Sequence, residues 1–365
     1  MRIRAAIAYE RREPFVIKDA ELADPKETEI LVRMAGCGIC HNDLFTKDEG
    51  PTPLPAVFGH EGSGIVEHVG SAVTMVAPGD HVVFCSYSCG ACEQCLSGHP
   101  ALCVQAGRVN FGGICSDGTT RLRDAEGREL SCFFGQSSFA TYVVADQRSA
   151  VKVDKDVDIA MLGPLGCGLQ TGAGAVLNVL APGPCDTIAV FGCGSVGLAA
   201  IMAAKISGCD KVIGIDAVPA KLEMAKELGA TQVINGAETP DITAEIGEIT
   251  RRRGVDYTFE TTGAQPLFEA SIESLRPGGT CGTVATTGEK ILDFKLVSLM
   301  GSCKTLVGIV QGDSVPWLFI PKLIEFYKEG RFPIDKLIRY YPFEEINKAA
   351  EDAHRGAVIK PVLRF

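Results

Sequence analysis

The stretch from Thr187 to Asp216 constrains the fold more than any other part of this chain. An apolar strand-type run, Ile188 to Phe191, meets Gly192-Cys193-Gly194-Ser195-Val196-Gly197. A helix-forming run, LAAIMAAKIS, follows, and a second strand-like run, KVIGID, ends on Asp216. Strand, G-x-G-x-x-G, helix, strand and acid in this order make up the dinucleotide-binding fingerprint. Gly192 permits the tight turn, Gly194 lets the backbone approach a pyrophosphate, and Gly197 lets the helix pack closely on its strand. Ser195 and Val196 open the helix, whose N-terminal N–H groups and positive dipole end suit phosphates. Asp216 would accept hydrogen bonds from the ribose hydroxyls and repel a 2′-phosphate, so NAD is expected over NADP. The glycines alone also fit a tight turn in some other doubly wound sheet. Strand, helix and acid together favour the dinucleotide.

With 365 residues the chain suits two domains, and 46% hydrophobic content can fill sizeable cores. A formal net charge of −10 argues against nucleic acid or an anionic membrane as partner. The most membrane-like run, Ile188 to Ala204, contains the glycine turn, and MRIRAAIAYERREPF lacks the apolar core of a signal peptide. Fifteen cysteines, an odd number without an export signal, point to metal ligands and buried thiols in a reducing, cytoplasmic setting.

The N-terminal stretch reads as a glycine-rich, mostly β domain. Strand-type runs recur at Glu29 to Met34, Gly64 to Val69, His81 to Phe84, Phe139 to Val144 and Ala150 to Val153, with turns such as Pro78-Gly79-Asp80 between them. From Asp186 strands alternate with helices: PAKLEMAKELGA, VDYTFE, PLFEASIESL, then TCGTVAT, the pattern of a parallel βαβ sheet. A helix over Leu318 to Glu329 and an apolar run, Ile359 to Leu363, close the chain. The charge runs Lys26 to Glu29 and Arg251 to Arg253 read as solvated faces.

Two cysteine constellations carry chemistry. Cys89, Cys92, Cys95 and Cys103, spaced three, three and eight apart, can close around one tetrahedral ion. Such a closed site is structural and typically zinc, with an iron–sulfur cluster as the chemical rival. The second set is scattered: Gly36-Cys37-Gly38-Ile39-Cys40-His41-Asn42-Asp43, Gly59-His60-Glu61-Gly62 and Gly166-Cys167-Gly168. His60 alone could be a core histidine, Cys167 a small buried hydrophobe, and Cys37 with Cys40 a redox pair. Together two cysteines and a histidine supply three ligands and leave a fourth position open, as catalytic zinc requires.

On these motifs the chain resembles the zinc-dependent medium-chain alcohol dehydrogenases over nearly its whole length. The family pattern G-[VI]-C-H-x-D fits Gly38 to Asp43, and G-H-E-x-x-G-x-V-x-x-V-G fits Gly59 to Gly70. The four-cysteine lobe matches in every spacing, and Cys167 lies in G-C-G-L-Q-T-G. FFGQSSFATY, LGPLGCGLQTGAGAVLN, QGDSVPWLFIPKLIEFYKEGRFP and IKPVL resemble the aryl- and allylic-alcohol branch, of benzyl, cinnamyl or geranyl type. The resemblance implies an α/β protein: a GroES-like, mostly-β catalytic domain (1–167, completed by 313–365) and a doubly wound Rossmann domain (168–312), with the active site in the cleft between them. It also implies a homodimer or homotetramer that moves a hydride between NAD and a primary alcohol/aldehyde pair, with two Zn2+ per subunit.

Residue by residue, the resemblance makes Cys40, His60 and Cys167 the ligands of catalytic zinc, and Cys89, Cys92, Cys95 and Cys103 those of structural zinc. Asp43 would orient His60 and Glu61 would lie behind the metal. Thr171 would face the nicotinamide, His41 and Lys360 the pyrophosphate, and Lys221 the adenosine ribose. Two positions depart from the family. Asn42 stands where a Ser or Thr hydroxyl usually passes the substrate proton outward, and Phe45 where many members carry a relay histidine. An amide hydrogen-bonds an alcohol but relays a proton poorly, so water or His41 would have to serve, and Phe45 reads as pocket lining. Two rival readings are a family member acting on aliphatic, polyol or thiol-adduct alcohols, and a dinucleotide-binding protein without turnover.

Overall fold

The computed structural model describes residues 1–285 and 296–365. The chain divides into two compact units, Met1–Cys167 with Val315–Glu325 and Ile334–Phe365, and Gly168–Ser314 with Phe326–Pro333.

The first unit is mostly β. Arg2–Ala8, Val16–Leu22, Leu122–Asp124, Glu129–Cys132 and Ala56–Val57 close into a barrel in that spatial order. A seven-stranded sheet runs Ala150–Val153, His81–Phe84, Glu61–Val69, Glu29–Gly38, Lys360–Arg364, Ile338–Pro342, and Tyr142–Asp146 also pairs with Glu29–Gly38. Glu29–Gly38 feeds two cores because side chains alternate across a strand. Ile30, Val32 and Met34 pack with Val66, Val82, Phe84 and Val143, while Leu31 and Cys37 join the barrel core of Ile7, Phe58, Phe133 and Phe139. Register then gathers the chemistry at one strand end: Gly38 pairs with Glu61 on one side and with Val362 on the other.

His81–Phe84 and Ala150–Val153 are strands as expected. The expected Glu29 to Met34 run extends to Gly38, since neighbours pair with it on both flanks. The run expected from Phe139 is a strand only from Tyr142, because Phe139 and Ala140 bridge to Ala5 and Ala6 of the barrel. Nor is Lys26 to Glu29 wholly a solvated face. Glu29 is 3% exposed and accepts from the Arg121 guanidinium at 2.7 and 2.9 Å. A charge so placed needs its partner, since an unpaired buried carboxylate is costly.

The second unit is a six-stranded parallel sheet: Gln232–Asn235, Lys211–Asp216, Thr187–Phe191, Val255–Glu260, Leu275–Thr283, Thr305–Gly308. Numbered by sequence this is 3-2-1-4-5-6, the doubly wound order of a dinucleotide-binding sheet. Its central strands are largely buried because both faces are covered; Thr187–Phe191 is buried at every residue. Helix Ser195–Ser207 follows the glycine turn and stops at Gly208 in the left-handed region. Of the strand expected over Thr280 to Thr286, residues up to Thr283 are strand, and Thr286 lies outside the described residues. The late helix spans Pro316–Lys328. No single helix among the described residues is long and apolar enough to cross a membrane.

Candidate functional site

Three chain segments that register brings together in the first unit supply one donor cluster. Cys40 caps helix His41–Asp48 just past the strand end, Glu61 begins its strand, and Cys167 follows the turn Gly163–Gly166. Donor atoms of Cys40, His60, Glu61 and Cys167 all lie within 4.8 Å of one another. His60 Nδ1 meets Asp43 Oδ1 at 2.7 Å and its Nε2 lies 3.2 Å from Cys167 Sγ. Asp43 is fully buried and also accepts the Cys40 N–H at 2.9 Å and the Gly59 N–H at 3.1 Å. It therefore fixes both the ring and the backbone beside two donors, and holds the ring nitrogen Nε2 toward the cluster.

The electrostatics are those of a polar knot in a dry place. Contact with the Cys167 thiol and with His60 holds Cys40 well below the usual thiol range although burial opposes it, and the same sulfur contact pushes Cys167 up. Burial would depress His60, yet Asp43 and Cys40 raise it overall. Glu61 is pushed up to about 7 by burial, against the pull of Lys360. Lys360, 2% exposed, donates to both Glu61 oxygens at 2.9 and 3.0 Å and to the Ile39 carbonyl at 3.4 Å. Its ammonium is thus engaged inside the first unit, beside the donor cluster. Two thiols and an imidazole, with a carboxylate behind them, suit a borderline-soft ion such as zinc.

Asn42 is half-buried and its Oδ1 accepts from Thr46 Oγ1 at 3.3 Å. His41 is exposed and its ring stacks on Phe45 at 6.2 Å between centroids. Against His60 the structure packs a wall the motifs did not announce. Phe134 stacks on the imidazole at 4.5 Å and Phe133 meets it edge-on at 5.5 Å, with Phe111 behind both. Phe134 takes the left-handed backbone (φ 53°) to do so, a strain that non-glycine residues seldom carry. The doublet in FFGQSSFATY was the available signal, but nothing local ties it to a histidine more than seventy residues earlier.

The four-cysteine lobe forms a second cluster, with Cys89, Cys92, Cys95 and Cys103 sulfurs within 4.8 Å of one another. Backbone N–H groups aim at the sulfurs: Cys89 to Cys103 at 3.2 Å, Cys92 and Ala91 to Cys89 at 3.4 and 3.5 Å, Gln105 to Cys103 at 3.4 Å. N–H donors from Cys95 and Val104 hold Cys92 down at about 6, while burial pushes Cys95 up to about 12. At a Zn–S length of about 2.3 Å a tetrahedron has edges of roughly 3.8 Å. The spacing therefore suits one ion and is too tight for a cluster of several irons.

In the second unit Gly192 takes φ +95°, and a Cβ there would overlap Thr261, just past the carboxyl end of the neighbouring strand Val255–Glu260. A Cβ on Gly197 would strike the Gly192 carbonyl, whereas Gly194 faces open space. Strand order reverses between Thr187–Phe191 and Val255–Glu260, and the glycine turn follows the carboxyl end of the first, the place where such sheets bind a dinucleotide. Asp216 ends its strand with its oxygens taking the Cys193 and Val218 N–H groups at 2.8 and 2.9 Å. Ser195, Val196 and Lys221 are half-exposed, and Thr171 is buried in helix Gly168–Gly174.

Residues 26–155 match the alcohol dehydrogenase GroES-like domain family and residues 195–329 the zinc-binding dehydrogenase family. The chain is 42% identical over 364 residues to geraniol dehydrogenase of Castellaniella defragrans, covering 99% of this chain and 97% of that one. An alcohol dehydrogenase zinc-binding domain protein from Burkholderia ambifaria superposes with TM-score 0.96 at 47% identity, covering 100% and 99% of the two chains. Benzyl alcohol dehydrogenase from Acinetobacter calcoaceticus superposes with TM-score 0.95 at 41% identity and the same coverage.

Proposed function

This chain belongs to the zinc-dependent medium-chain alcohol dehydrogenases, and from that premise we propose that it oxidises aromatic or allylic primary alcohols to aldehydes, and reduces the aldehydes, at the Cys40–His60–Cys167 cluster. It is an NAD- and zinc-dependent oxidoreductase of alcohols. The observation that carries the substrate class is the apolar, aromatic surround that Phe134, Phe133 and Phe111 give to His60 and its donor set. That the geraniol and benzyl alcohol enzymes are similar over their full lengths supports the same class.

When bound, zinc supplies a Lewis acid that eases loss of the alcohol proton, and NAD supplies the hydride acceptor. The chain's own part is positioning. Asp43 holds the His60 ring and the Cys40 backbone in place. Lys360 balances the Glu61 carboxyl behind the cluster, which keeps a second charge from being stranded there. Asn42, tethered by Thr46, offers an amide to a substrate oxygen and no hydroxyl to carry a proton away. Cys89, Cys92, Cys95 and Cys103 are assigned to structural zinc. Gly192, Gly194, Ser195, Val196 and Gly197 are assigned to the pyrophosphate, Asp216 and Lys221 to the adenosine ribose, and Thr171 to the nicotinamide. His41, exposed at the helix start, keeps its pyrophosphate assignment. Lys360, which donates to Glu61, keeps its pyrophosphate assignment as well.

The catalytic unit is taken as 1–167 with 313–365, and the dinucleotide unit as 168–312. Self-association into a homodimer or homotetramer is supported by the edge strand Thr305–Gly308 and by Leu296, Val297, Met300 and Val310, all more than half exposed. A cytoplasmic location accords with fifteen cysteines, six of which gather into two metal-ligand clusters. Initial rates with NAD across benzyl, cinnamyl, geranyl and short aliphatic alcohols test the substrate class. The first three should give the higher kcat/KM, and a preference for ethanol or propanol would overturn it.

A further inference from the structure

The four-cysteine lobe is gripped from outside by a residue that no ligand spacing points to. Arg148 sits in the short turn Gln147–Ser149, anchored where its own N–H meets Asp146 Oδ1 at 2.9 Å. Its Nε donates to the Ser88 carbonyl at 2.8 Å, the peptide oxygen immediately before Cys89. On the other side of Cys89, Gly90 takes φ +70°, and a Cβ built there would overlap the Arg148 guanidinium carbon and both terminal nitrogens. The guanidinium therefore lies directly on the Cys89–Gly90 backbone. Its carbon is also 5.4 Å from the ring centroid of Trp317, the one tryptophan of the chain. Trp317 in turn is pinned where its indole N–H donates to the Ala150 carbonyl at 3.1 Å. Turn, guanidinium and indole all belong to the first unit.

The physical consequence concerns charge and freedom of movement. Four thiolates around one divalent ion carry a net charge of −2, which backbone N–H groups offset only in part. A guanidinium is charged at every working pH, and its planar fork can hydrogen-bond and stack at once. Placed on the peptides that flank Cys89, it counters that charge and denies one of the four ligands the backbone motion by which a bound ion escapes. We propose that Arg148, braced by Trp317, is a positioning residue for the metal of the four-cysteine lobe, and that Trp317 emission reports that metal's occupancy. This rests on the assignment of zinc to the lobe.

The test follows zinc leaving the purified, zinc-loaded enzyme into a chromogenic chelator, with Trp317 emission recorded in parallel. Wild type should release two zinc ions in separate phases, with the emission change confined to the slower one. Arg148→Met should speed the slower phase about 10- to 100-fold, the range typical of a lost outer partner at a metal site, and leave the faster phase alone. Arg148→Lys keeps the stem and the charge without the fork, folds more safely, and should speed the slower phase by a smaller factor. A slower phase that overlays wild type in both variants overturns the role of Arg148. Emission that stays constant through loss of both ions overturns the reporter. If wild type instead yields fewer than two zinc ions per chain, the assignment of zinc to the lobe fails, whatever the variants do.

Discussion

At the scale of single residues, the proposed cofactor preference and proton exit turn on two side chains. Asp216 closes its strand with backbone N–H groups on its oxygens. That keeps a carboxylate at the tip of the strand, where a 2′-phosphate would meet like charge. Asp216→Gly should raise kcat/KM for NADP and lower it for NAD, and a wild-type enzyme that already used NADP equally well would remove the role. Asn42 is the second. Its amide oxygen is tied to Thr46, so it can orient an alcohol oxygen but cannot accept and donate a proton in one step. Asn42→Thr should raise kcat for alcohol oxidation toward low pH, by up to about 10²-fold, the low end of what a positioned proton-transfer group contributes. If Asn42 only shapes the pocket, KM alone will move. Overlaid pH profiles of kcat for variant and wild type would therefore end the relay argument.

At the scale of elements, the parallel sheet is tied at its entrance by one buried carboxylate. Asp256 lies in Val255–Glu260 and accepts from the Thr187 N–H at 2.9 Å, the Thr187 hydroxyl at 2.7 Å, Arg253 at 2.8 Å and Arg276 at 2.5 Å. Burial would raise its pKa, but Arg276, Thr187 and Arg253 together hold it well below the carboxylate range. A depressed native pKa contributes stability that is fully present above the unfolded value of about 3.9 and fades as pH falls through that value toward the native one. Asp256→Asn should accordingly cost about 2 kcal/mol at neutral pH, given that both arginines are partly exposed. Urea midpoints should also show the difference from wild type shrinking below about pH 4. A difference that persists undiminished at pH 3 would mean the aspartate acts through shape and not charge.

At the scale of the whole molecule, two donor sets of different closure predict two metals of different lability. The lobe offers four sulfurs, while the Cys40–His60–Cys167 set offers three ligands beside a Glu61 carboxylate that Lys360 engages. Elemental analysis of enzyme purified without added metal should find about two zinc per chain. Brief dialysis against a chelator should remove about one together with the activity, leaving the fold intact by circular dichroism. Loss of structure in step with loss of activity would show that the labile ion is the one in the lobe.

Much of this was legible in the chain itself, for a physical reason: ligand spacing in a tight lobe, and glycines at a strand-to-helix turn, are local requirements that local sequence must meet. Cys89 to Cys103 and Gly192 to Asp216 could be read that way, and the alternation of apolar runs marked the parallel sheet. The barrel strands Arg2–Ala8 and Val16–Leu22 could not. Arg2–Ala8 carries its charges on one face and Val16–Leu22 carries them on both, and each strand owes its pairing to partners set by the barrel. The burial of Glu29 against Arg121, the engagement of Lys360 by Glu61, the stacking of Phe134 on His60 and the grip of Arg148 on the Cys89 turn were likewise decided only by tertiary structure. Each joins residues separated by dozens to hundreds of positions, and a charge or ring declares its partner only when strand register has set the two side by side.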